Sequence, residues 1–407
     1  MKISKIASCI GESATLKLNA QATALKAQGE PLIHLAGGEP KSKAPQEALD
    51  KAVELIKTGE VRYTPASGTP SLKKAVIRYT RDFYNVEVEE SNVLISTGAK
   101  QSIMVAMQAV LDPGDEVIFP APYWVSYPDM VRLCGAVPIP VIPLNASLIP
   151  TMYDIKKVYS SRCKMMIINN PSNPGGILYP DTLIADVVRF CEENNICLIM
   201  DDIYHRLLFD GKKAASCYRY TSNAVNDSNI IVINGVSKQY AMTGFRIGWA
   251  VGSKSIIKVM GNIVGHQTSG ASAPSQVAAE AAILGSQESV TELTASLQHN
   301  RDVLVKQLGN IKHILFNIPD GTFYCFANFS NYCKDSSVLS ALLLDKVKVL
   351  TVPGIEFGME GYLRLSTCGS TEDIIEGIRR IAWALDGEKN SELTIGNYTV
   401  VKDWSFS

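Results

Sequence analysis

The most regular feature of the chain is a series of short apolar runs, separated by longer stretches with helical spacing of apolar residues. Each run is β-branched or wholly apolar, as expected for a strand that is covered on both faces. Strand–helix alternation of this kind predicts an α/β fold with a mostly parallel sheet flanked by helices. The apolar runs are Val93–Ser96, Glu116–Phe119, Lys164–Asn169, Ile196–Met200, Ile230–Ile233 and Ile247–Val251, and helices are predicted at Gln101–Val110, Asp181–Asn194 and Gln276–Leu284.

The pattern changes after about residue 285, where the spacing predicts a smaller α+β domain. Its predicted elements are helices at Glu288–Leu308 and Asp373–Leu385 and strands at Phe323–Phe329, Val347–Thr351 and Tyr362–Ser366. We therefore predict a large domain over residues 46–285 and a small domain built from residues 1–45, with a helix at Leu16–Gln28, and 286–389. Residues 390–407 form a polar tail without usable periodicity.

Composition narrows the function. The chain has 407 residues, of which 39 are basic and 40 acidic, so a bulk binder of nucleic acid or of an anionic membrane is disfavoured. Nine scattered cysteines without zinc-like spacing predict reduced thiols and no metal site. The N-terminus has no signal-peptide core and no run reaches about 18 apolar residues. We expect a cytoplasmic enzyme.

Polar clusters directly follow the apolar runs. In an open parallel sheet, ligands bind beyond the carboxyl ends of the strands, so these clusters are expected to converge on one crevice. The clusters are Thr97–Lys100, Pro120–Trp124, Asn170–Gly176, Asp201–Tyr204 and Asn234–Lys238.

Four features of these clusters would together suit the binding of one organic cofactor. Thr97–Lys100 could hold a phosphate at a helix N-terminus, although a plain tight turn is the more frequent explanation for such a segment taken alone. Lys238 follows a buried strand, where burial would lower its pKa and suit a Schiff-base lysine, but it also fits a surface turn. Asp201 is an N-cap or a counter-ion for a ring nitrogen, and Trp124 is core or a stacking surface. Together they match the needs of pyridoxal 5'-phosphate.

The motifs of the chain resemble those of class I pyridoxal-phosphate-dependent aminotransferases, in the family's order. The resemblance covers about residues 10–387 and is closest to the bacterial aspartate aminotransferase branch, which includes aspartate/prephenate aminotransferases. It implies a fold type I transferase with amino acid and 2-oxo acid substrates. The motifs are AGGEP (36–40), VRYTPASG (61–68), STGAKQ (96–101), PAPYWVSYPDM (120–130), NNPSNPGG (169–176), DDIY (201–204), GVSKQYAMTGFRIG (235–248), VPGIEFG (352–358) and YLRLS (362–366).

The resemblance also implies roles for individual residues. Lys238 would form the Schiff base with the cofactor, Asp201 would pair with the pyridine nitrogen, and Trp124 would stack on the ring. Tyr204 and Asn173 would hydrogen-bond the phenolic oxygen of the ring. The catalytic residues are thus expected to be Lys238, Asp201 and Tyr204.

The phosphate and the substrate would be held by other positions of the same motifs. The resemblance places Gly98, Ala99, Lys100, Ser237 and Arg246 around the phosphate, together with Tyr63 of the neighbouring subunit in a homodimer with shared sites. Arg364 and Asn173 would grip the substrate α-carboxylate under the Gly38 backbone, next to Trp124. An arginine fork binds a carboxylate through two bonds and fixes its orientation.

Three positions depart from the family pattern. Gly235 stands where a serine is frequent, so one phosphate-binding hydroxyl is absent. Gly175 stands where the family has threonine, and Asp202 where it has glutamate. None of these changes removes an expected catalytic group.

Substrate choice rests on Lys100, which in the aspartate branch also meets the distal carboxylate of a dicarboxylic substrate. A segment resembling Ser13–Thr15 closes over the substrate in that branch. We therefore expect ping-pong transfer between L-aspartate and 2-oxoglutarate, with prephenate as a further acceptor. An aromatic or broad-range aminotransferase would need the same core residues. A β-lyase, a decarboxylase and a non-catalytic binding protein built on the same fold also stay open, whereas the missing glycine fingerprint disfavours a nicotinamide dehydrogenase.

Overall fold

The computed structural model describes residues 2–12, 14–144, 147–388 and 390–405. Ser13, which belongs to the segment expected to close over the substrate, lies outside the described residues. Within the described ranges, no helix is both long enough and apolar enough to span a lipid bilayer.

The chain alternates between helices and strands for most of its length. The helices are α1 (Lys5–Ser8), α2 (Ala14–Ala27), α3 (Gln46–Lys57), α4 (Pro70–Tyr84), α5 (Ala99–Val110), α6 (Tyr127–Leu133), α7 (Met152–Val158), α8 (Asp181–Glu193), α9 (Lys254–Thr268), α10 (Ala273–Leu284), α11 (Glu288–Leu308), α12 (Ser336–Val347) and α13 (Thr371–Leu385). The strands are β1 (Ile33–His34), β2 (Val93–Ser96), β3 (Glu116–Pro120), β4 (Val137–Val141), β5 (Cys163–Asn169), β6 (Cys197–Asp201), β7 (Ile230–Gly235), β8 (Gly248–Val251), β9 (Leu315–Phe316), β10 (Tyr324–Asn328), β11 (Val349–Leu350), β12 (Val352–Pro353), β13 (Tyr362–Ser366), β14 (Glu392–Ile395) and β15 (Tyr398–Val401).

A seven-stranded sheet forms the centre of the molecule, in the order β2-β8-β7-β6-β5-β3-β4. Its neighbouring strands are parallel except at β8, which runs antiparallel to β2 and β7. The predicted mostly parallel sheet with flanking helices is confirmed. Apolar side chains cover both of its faces, since Met165–Ile168 of β5 are fully buried. Each such side chain contributes about 1.5–3 kcal/mol to stability through burial.

The sequence pattern did not predict the edge strand β4. Its sequence, VPIPV, contains Pro138 and Pro140, which lack the N–H group that a strand paired on both sides needs. The structure places this strand at the end of the sheet, where it pairs in parallel with β3 alone. Proline is tolerated at such an edge and protects it from pairing with another chain.

A second sheet, β12-β13-β10-β9, is antiparallel and belongs to the C-terminal part of the chain. Beside it, β1 pairs in parallel with β11, with Ile33 opposite Val349. This pair brings the start of the chain against its C-terminal part. It also positions the backbone of residues 36–38, which follows β1 directly and enters the site described below.

The tail, for which the sequence pattern predicted no element, forms the hairpin β14–β15. Leu393 and Ile395 are buried on one face, so the strand does alternate, but over too few residues to stand out. The hairpin packs at the C-terminal end of α13. Lys402 is buried there and donates its Nζ to the carbonyl oxygens of Trp383 and Asp386, as a cation does at the last turn of a helix.

Candidate active site

The polar clusters at the carboxyl ends of the strands do converge, around a cleft of about 370 Å³. The large sheet supplies one wall, and residues from the C-terminal part of the chain and the segment after β1 supply the other. Of the residues predicted from the sequence, Gly38, Ala99, Lys100, Trp124, Asn173, Asp201, Tyr204, Ser237, Lys238, Arg246 and Arg364 line this cleft.

Lys238 lies just after the end of β7, and its side chain is half-buried. Its Nζ donates to the backbone carbonyl of Gly38 at 2.7 Å and lies 5.8 Å from the ring centroid of Phe323. Burial lowers the pKa of Lys238 to about 8, because a poorly solvated ammonium is unfavourable. Part of the population therefore carries a neutral, nucleophilic amine near neutral pH.

Asp201 is buried at the end of β6. Burial raises the pKa of Asp201 to about 6, while a hydrogen bond from Tyr127 acts in the opposite direction. The Tyr127 hydroxyl donates to Oδ2 at 2.6 Å, whereas Oδ1 is buried and has no hydrogen-bond partner in the part of the chain that the structure describes. A buried carboxylate oxygen without a partner is costly, so the site calls for a ligand with a polar N–H group at this point.

Tyr127 is one of the site residues that the sequence interpretation missed. It lies in the first turn of α6, three residues after Trp124, inside a motif that was singled out for other reasons. The two rings pack edge to face with centroids 5.4 Å apart. The one available signal was the position of this tyrosine inside the motif, three residues after the expected stacking ring.

Replacing Tyr127 with phenylalanine is expected to weaken pyridoxal phosphate binding about tenfold, because Asp201 loses the donor that orients its carboxylate. Titration of the apo-protein with the cofactor, followed by absorbance, measures this. Tyr218→Phe is the matched control, since it removes a buried hydroxyl that is bonded to the Val251 carbonyl instead. Equal cofactor affinity in both variants would refute the role of Tyr127.

A cradle for a phosphate lies at the start of α5. Gly98 precedes this helix with φ +85°, a left-handed conformation that favours glycine. A side chain there would collide with the guanidinium group of Arg246, so the glycine allows this cation to approach the helix N-terminus. The first N–H groups of α5 and the Arg246 charge therefore face the same space, as anion binding requires.

Two departures from the family pattern differ in how much room their surroundings leave. A Cβ atom at Gly235 would lie 2.8 Å from the carbonyl oxygen of Ile247, because β7 and β8 approach closely there. A Cβ atom at Gly175 would lie 2.9 Å from the hydroxyl oxygen of Ser172. The backbone contact leaves no room for a larger residue at Gly235, whereas the Ser172 side chain can rotate away from a larger residue at Gly175. Ser237, which follows Gly235 by two positions, lines the cleft.

Arg364 projects from β13 into the cleft and is only 2% exposed. Its Nη1 donates to Asn173 Oδ1 at 3.1 Å and its Nη2 to the Ala36 carbonyl at 3.1 Å. Its Nε is buried without a partner among the described residues. The guanidinium lies 4.2 Å from the ring centroid of Tyr324, which the sequence interpretation did not include. A buried cation held in this way is prepared for a carboxylate.

Trp124 and Lys100 occupy the side of the cleft near α5. The Nζ of Lys100 lies 4.8 Å from the Trp124 ring centroid, within cation–π range. Lys100 is exposed as a whole, but its ammonium end reaches into the cleft. There, partial burial and the charge of Arg246 lower the pKa of Lys100. Two neighbouring cations of this kind attract an anion.

Tyr204 and Tyr63 are predicted site residues whose side chains differ strongly in how far they are exposed. Tyr204 is buried beside Tyr324 with ring centroids 6.1 Å apart, and burial raises the pKa of Tyr204 so that its hydroxyl stays protonated. Tyr63 is 94% exposed and lines a separate surface pocket formed with residues 268–273, so this chain alone does not bring it to the cleft.

Comparison with known proteins agrees with this site. Residues 30–381 match the model of the family "Aminotransferase class I and II". The aspartate aminotransferase of Streptomyces avermitilis is 36% identical over 96% of this chain and 98% of its own length. The aspartate/prephenate aminotransferase of Nitrosomonas europaea is 36% identical over 94% and 99%. The Thermus thermophilus aspartate aminotransferase, solved with maleate, superposes with a TM-score of 0.89 at 32% identity over 94% and 99%.

The chain belongs to the class I and II aminotransferases. It has the fold type I architecture and is a pyridoxal-phosphate-dependent transaminase that acts on amino acids and 2-oxo acids. The residues present fit the cofactor. The partnerless Oδ1 of Asp201 suits the ring nitrogen, the glycine cradle at α5 suits the phosphate, and the amine of Lys238 lies in the same cleft.

Proposed function

We propose that this protein transfers the amino group of L-aspartate to 2-oxoglutarate by a ping-pong reaction, giving oxaloacetate and L-glutamate, with prephenate as a further acceptor. The observation that carries the dicarboxylate preference is that Lys100 lines the same cleft as the buried Arg364, so that a cation is available for each of two carboxylates. The names of the relatives, aspartate and aspartate/prephenate aminotransferase, support the same choice.

Pyridoxal phosphate, when bound, supplies a carbon that an amine can attack and a ring that accepts the electron pair released at the Cα atom of the amino acid. Lys238 supplies the amine that holds the cofactor in the resting protein. When its Nζ is free, this amine would accept the proton from the substrate Cα atom and donate it to the cofactor. The lowered pKa of about 8 favours the neutral amine that this step requires.

The remaining residues orient the reactants. Asp201 would hold the proton of the ring nitrogen, and Tyr204 with the amide of Asn173 would bond the phenolic oxygen. Arg364 would bind the α-carboxylate. Because its guanidinium is held in one orientation, the bound substrate would present its Cα–H bond in one direction. The bond from Arg364 to Asn173 Oδ1 leaves Nδ2 as the donor of that amide. Gly98, Ala99, Ser237 and Arg246 surround the phosphate.

We also propose a homodimer in which Tyr63 completes the site of the neighbouring subunit. Its 94% exposure in the single chain supports this, because the side chain is accessible to a second subunit. The domain division at residues 46–285, with 1–45 and 286–389 as the small domain, stays part of the same proposal. Nine free cysteines support the expected cytoplasmic location.

Replacing Lys100 with alanine tests the substrate assignment. We expect kcat/KM for L-aspartate to fall about 10²-fold, because one charge-assisted contact to the distal carboxylate is lost. A donor without a distal carboxylate should lose little. A panel of acidic and aromatic donors assayed with 2-oxoglutarate measures both, and Lys43→Ala, an exposed lysine outside the cleft, is the control. A wild-type preference for aromatic donors would overturn the assignment, and ammonia or CO2 release would indicate a lyase or decarboxylase.

A further inference from the structure

A closed ring of buried hydrogen bonds lies behind the segment that carries Lys238. We call residues 234–239 the lysine loop; it begins in β7 and ends one residue after Lys238. Its two ends, Asn234 and Gln239, are completely buried, whereas Lys238 between them faces the cleft. None of the groups in the ring has a role in the chemistry proposed above.

The orientation of Asn234 follows from its partners. Its Oδ1 accepts the backbone N–H of Gly235 at 2.7 Å, so the other amide atom must be the Nδ2 donor. Nδ2 lies 2.8 Å from Nδ1 of His205 and donates to the Tyr84 hydroxyl at 3.1 Å. Both N–H bonds of this buried amide are therefore used.

His205 connects Asn234 to Tyr79 through its two ring nitrogens. Its Nδ1 lies 2.8 Å from Asn234 Nδ2 and 3.1 Å from the Asp202 carbonyl oxygen, and its Nε2 lies 2.9 Å from the Tyr79 hydroxyl oxygen. The Tyr79 hydroxyl in turn donates to Gln239 Oε1 at 2.9 Å. Burial, with the nearby charge of Arg206, lowers the pKa of His205 to about 3, so the imidazole stays neutral.

The ring closes on the lysine loop itself. The Nε2 of Gln239 donates to the Gly235 carbonyl at 3.1 Å. The path therefore runs from Asn234 through His205 and Tyr79 to Gln239 and back to Gly235. It joins both ends of the lysine loop to α4 and to the segment after β6.

From this geometry we infer that Tyr79 and His205 are positioning residues for Lys238, which hold the lysine loop at the depth where its Nζ meets the cofactor and the substrate Cα. The inference rests on the proposed role of Lys238. A displacement of about 1 Å at a reacting atom costs up to about 10²-fold in rate.

Tyr79→Phe tests the inference in the full-length holoenzyme. The variant keeps the ring, which packs edge to face on Trp249 with centroids 5.2 Å apart, and removes only the bridging hydroxyl. We expect kcat for aspartate to fall about tenfold while KM stays within about twofold, because the substrate-binding Arg364 is untouched. The rate at which apo-protein becomes covalently attached to pyridoxal phosphate, trapped with borohydride and measured by mass spectrometry, should fall in parallel.

The controls separate positioning from stability. Tyr218→Phe removes a buried hydroxyl outside the ring and should lower only the thermal midpoint. Gln239→Met cuts the same bond from its other end, and the double variant with Tyr79→Phe should be no slower than either single variant. If Tyr79→Phe and Gln239→Met keep the wild-type kcat and attachment rate, the inference fails. Attachment in Lys238→Ala would instead refute the proposed function, so the two failures are distinguishable.

Discussion

Replacing Lys238 with alanine is expected to lower kcat at least about 10⁴-fold, because two roles of one amine are lost together. Nζ is the atom that holds the cofactor and the base that moves the Cα proton. Among the predicted site residues described above, Lys238 is the group whose lowered pKa suits both tasks. Steady-state formation of glutamate from aspartate and 2-oxoglutarate measures the loss, and the visible absorbance of the covalently held cofactor should disappear.

Lys73 provides a matched control for this substitution. It is also a buried lysine with a pKa lowered by burial, but its Nζ donates to the Glu90 carbonyl at 3.2 Å, away from the cleft. Lys73→Ala should therefore cost stability and leave the turnover of the folded protein intact. An active Lys238→Ala protein would overturn the mechanism.

Replacing Arg364 with methionine is expected to lower kcat/KM for both substrates about 10³-fold. The buried guanidinium is the group prepared for the α-carboxylate that every amino donor and acceptor carries. Its loss therefore weakens binding and also leaves the Cα–H bond poorly aligned, so KM should rise and kcat should fall. Methionine preserves much of the apolar stem that lies against Tyr324 and Phe357.

Arg380→Met is the corresponding control, because Arg380 is equally buried but bonds to Glu376 and to the Pro31 carbonyl. It should unfold at a lower temperature with unchanged kcat/KM once folded. An Arg364 variant that lost activity with acidic donors only would contradict the assignment to the α-carboxylate and place Arg364 at the distal one.

The sequence predicted the central strands and their polar ends well, because both are local signals. Runs such as Lys164–Asn169 indicate a strand covered on both faces, and the polar residues after them mark the binding edge. Strand β4 was missed because Pro138 and Pro140 argue against a strand unless its edge position is known. The hairpin β14–β15 was missed because four residues are too few to establish alternation.

Contacts between distant parts of the chain could not be predicted from such patterns. Tyr127 meets Asp201, and Lys238 meets the Gly38 carbonyl, only because the fold brings separate elements together. The ring through His205 and Tyr79 is of the same kind. Each of its residues alone resembles an ordinary core residue, and only the continuous path of hydrogen bonds shows that they form one unit.

The pairing of β1 with β11 has a consequence for how the protein is made. Ile33 leaves the ribosome long before Val349, its partner, has been synthesised. All strands of the large sheet lie between these two residues in the chain. The large sheet can therefore assemble while β1 is still unpaired. The segment after β1, whose Gly38 and Ala36 carbonyls accept hydrogen bonds from Lys238 and Arg364, is thus ordered late. A nascent chain therefore acquires its catalytic cleft only after Arg364 has been synthesised.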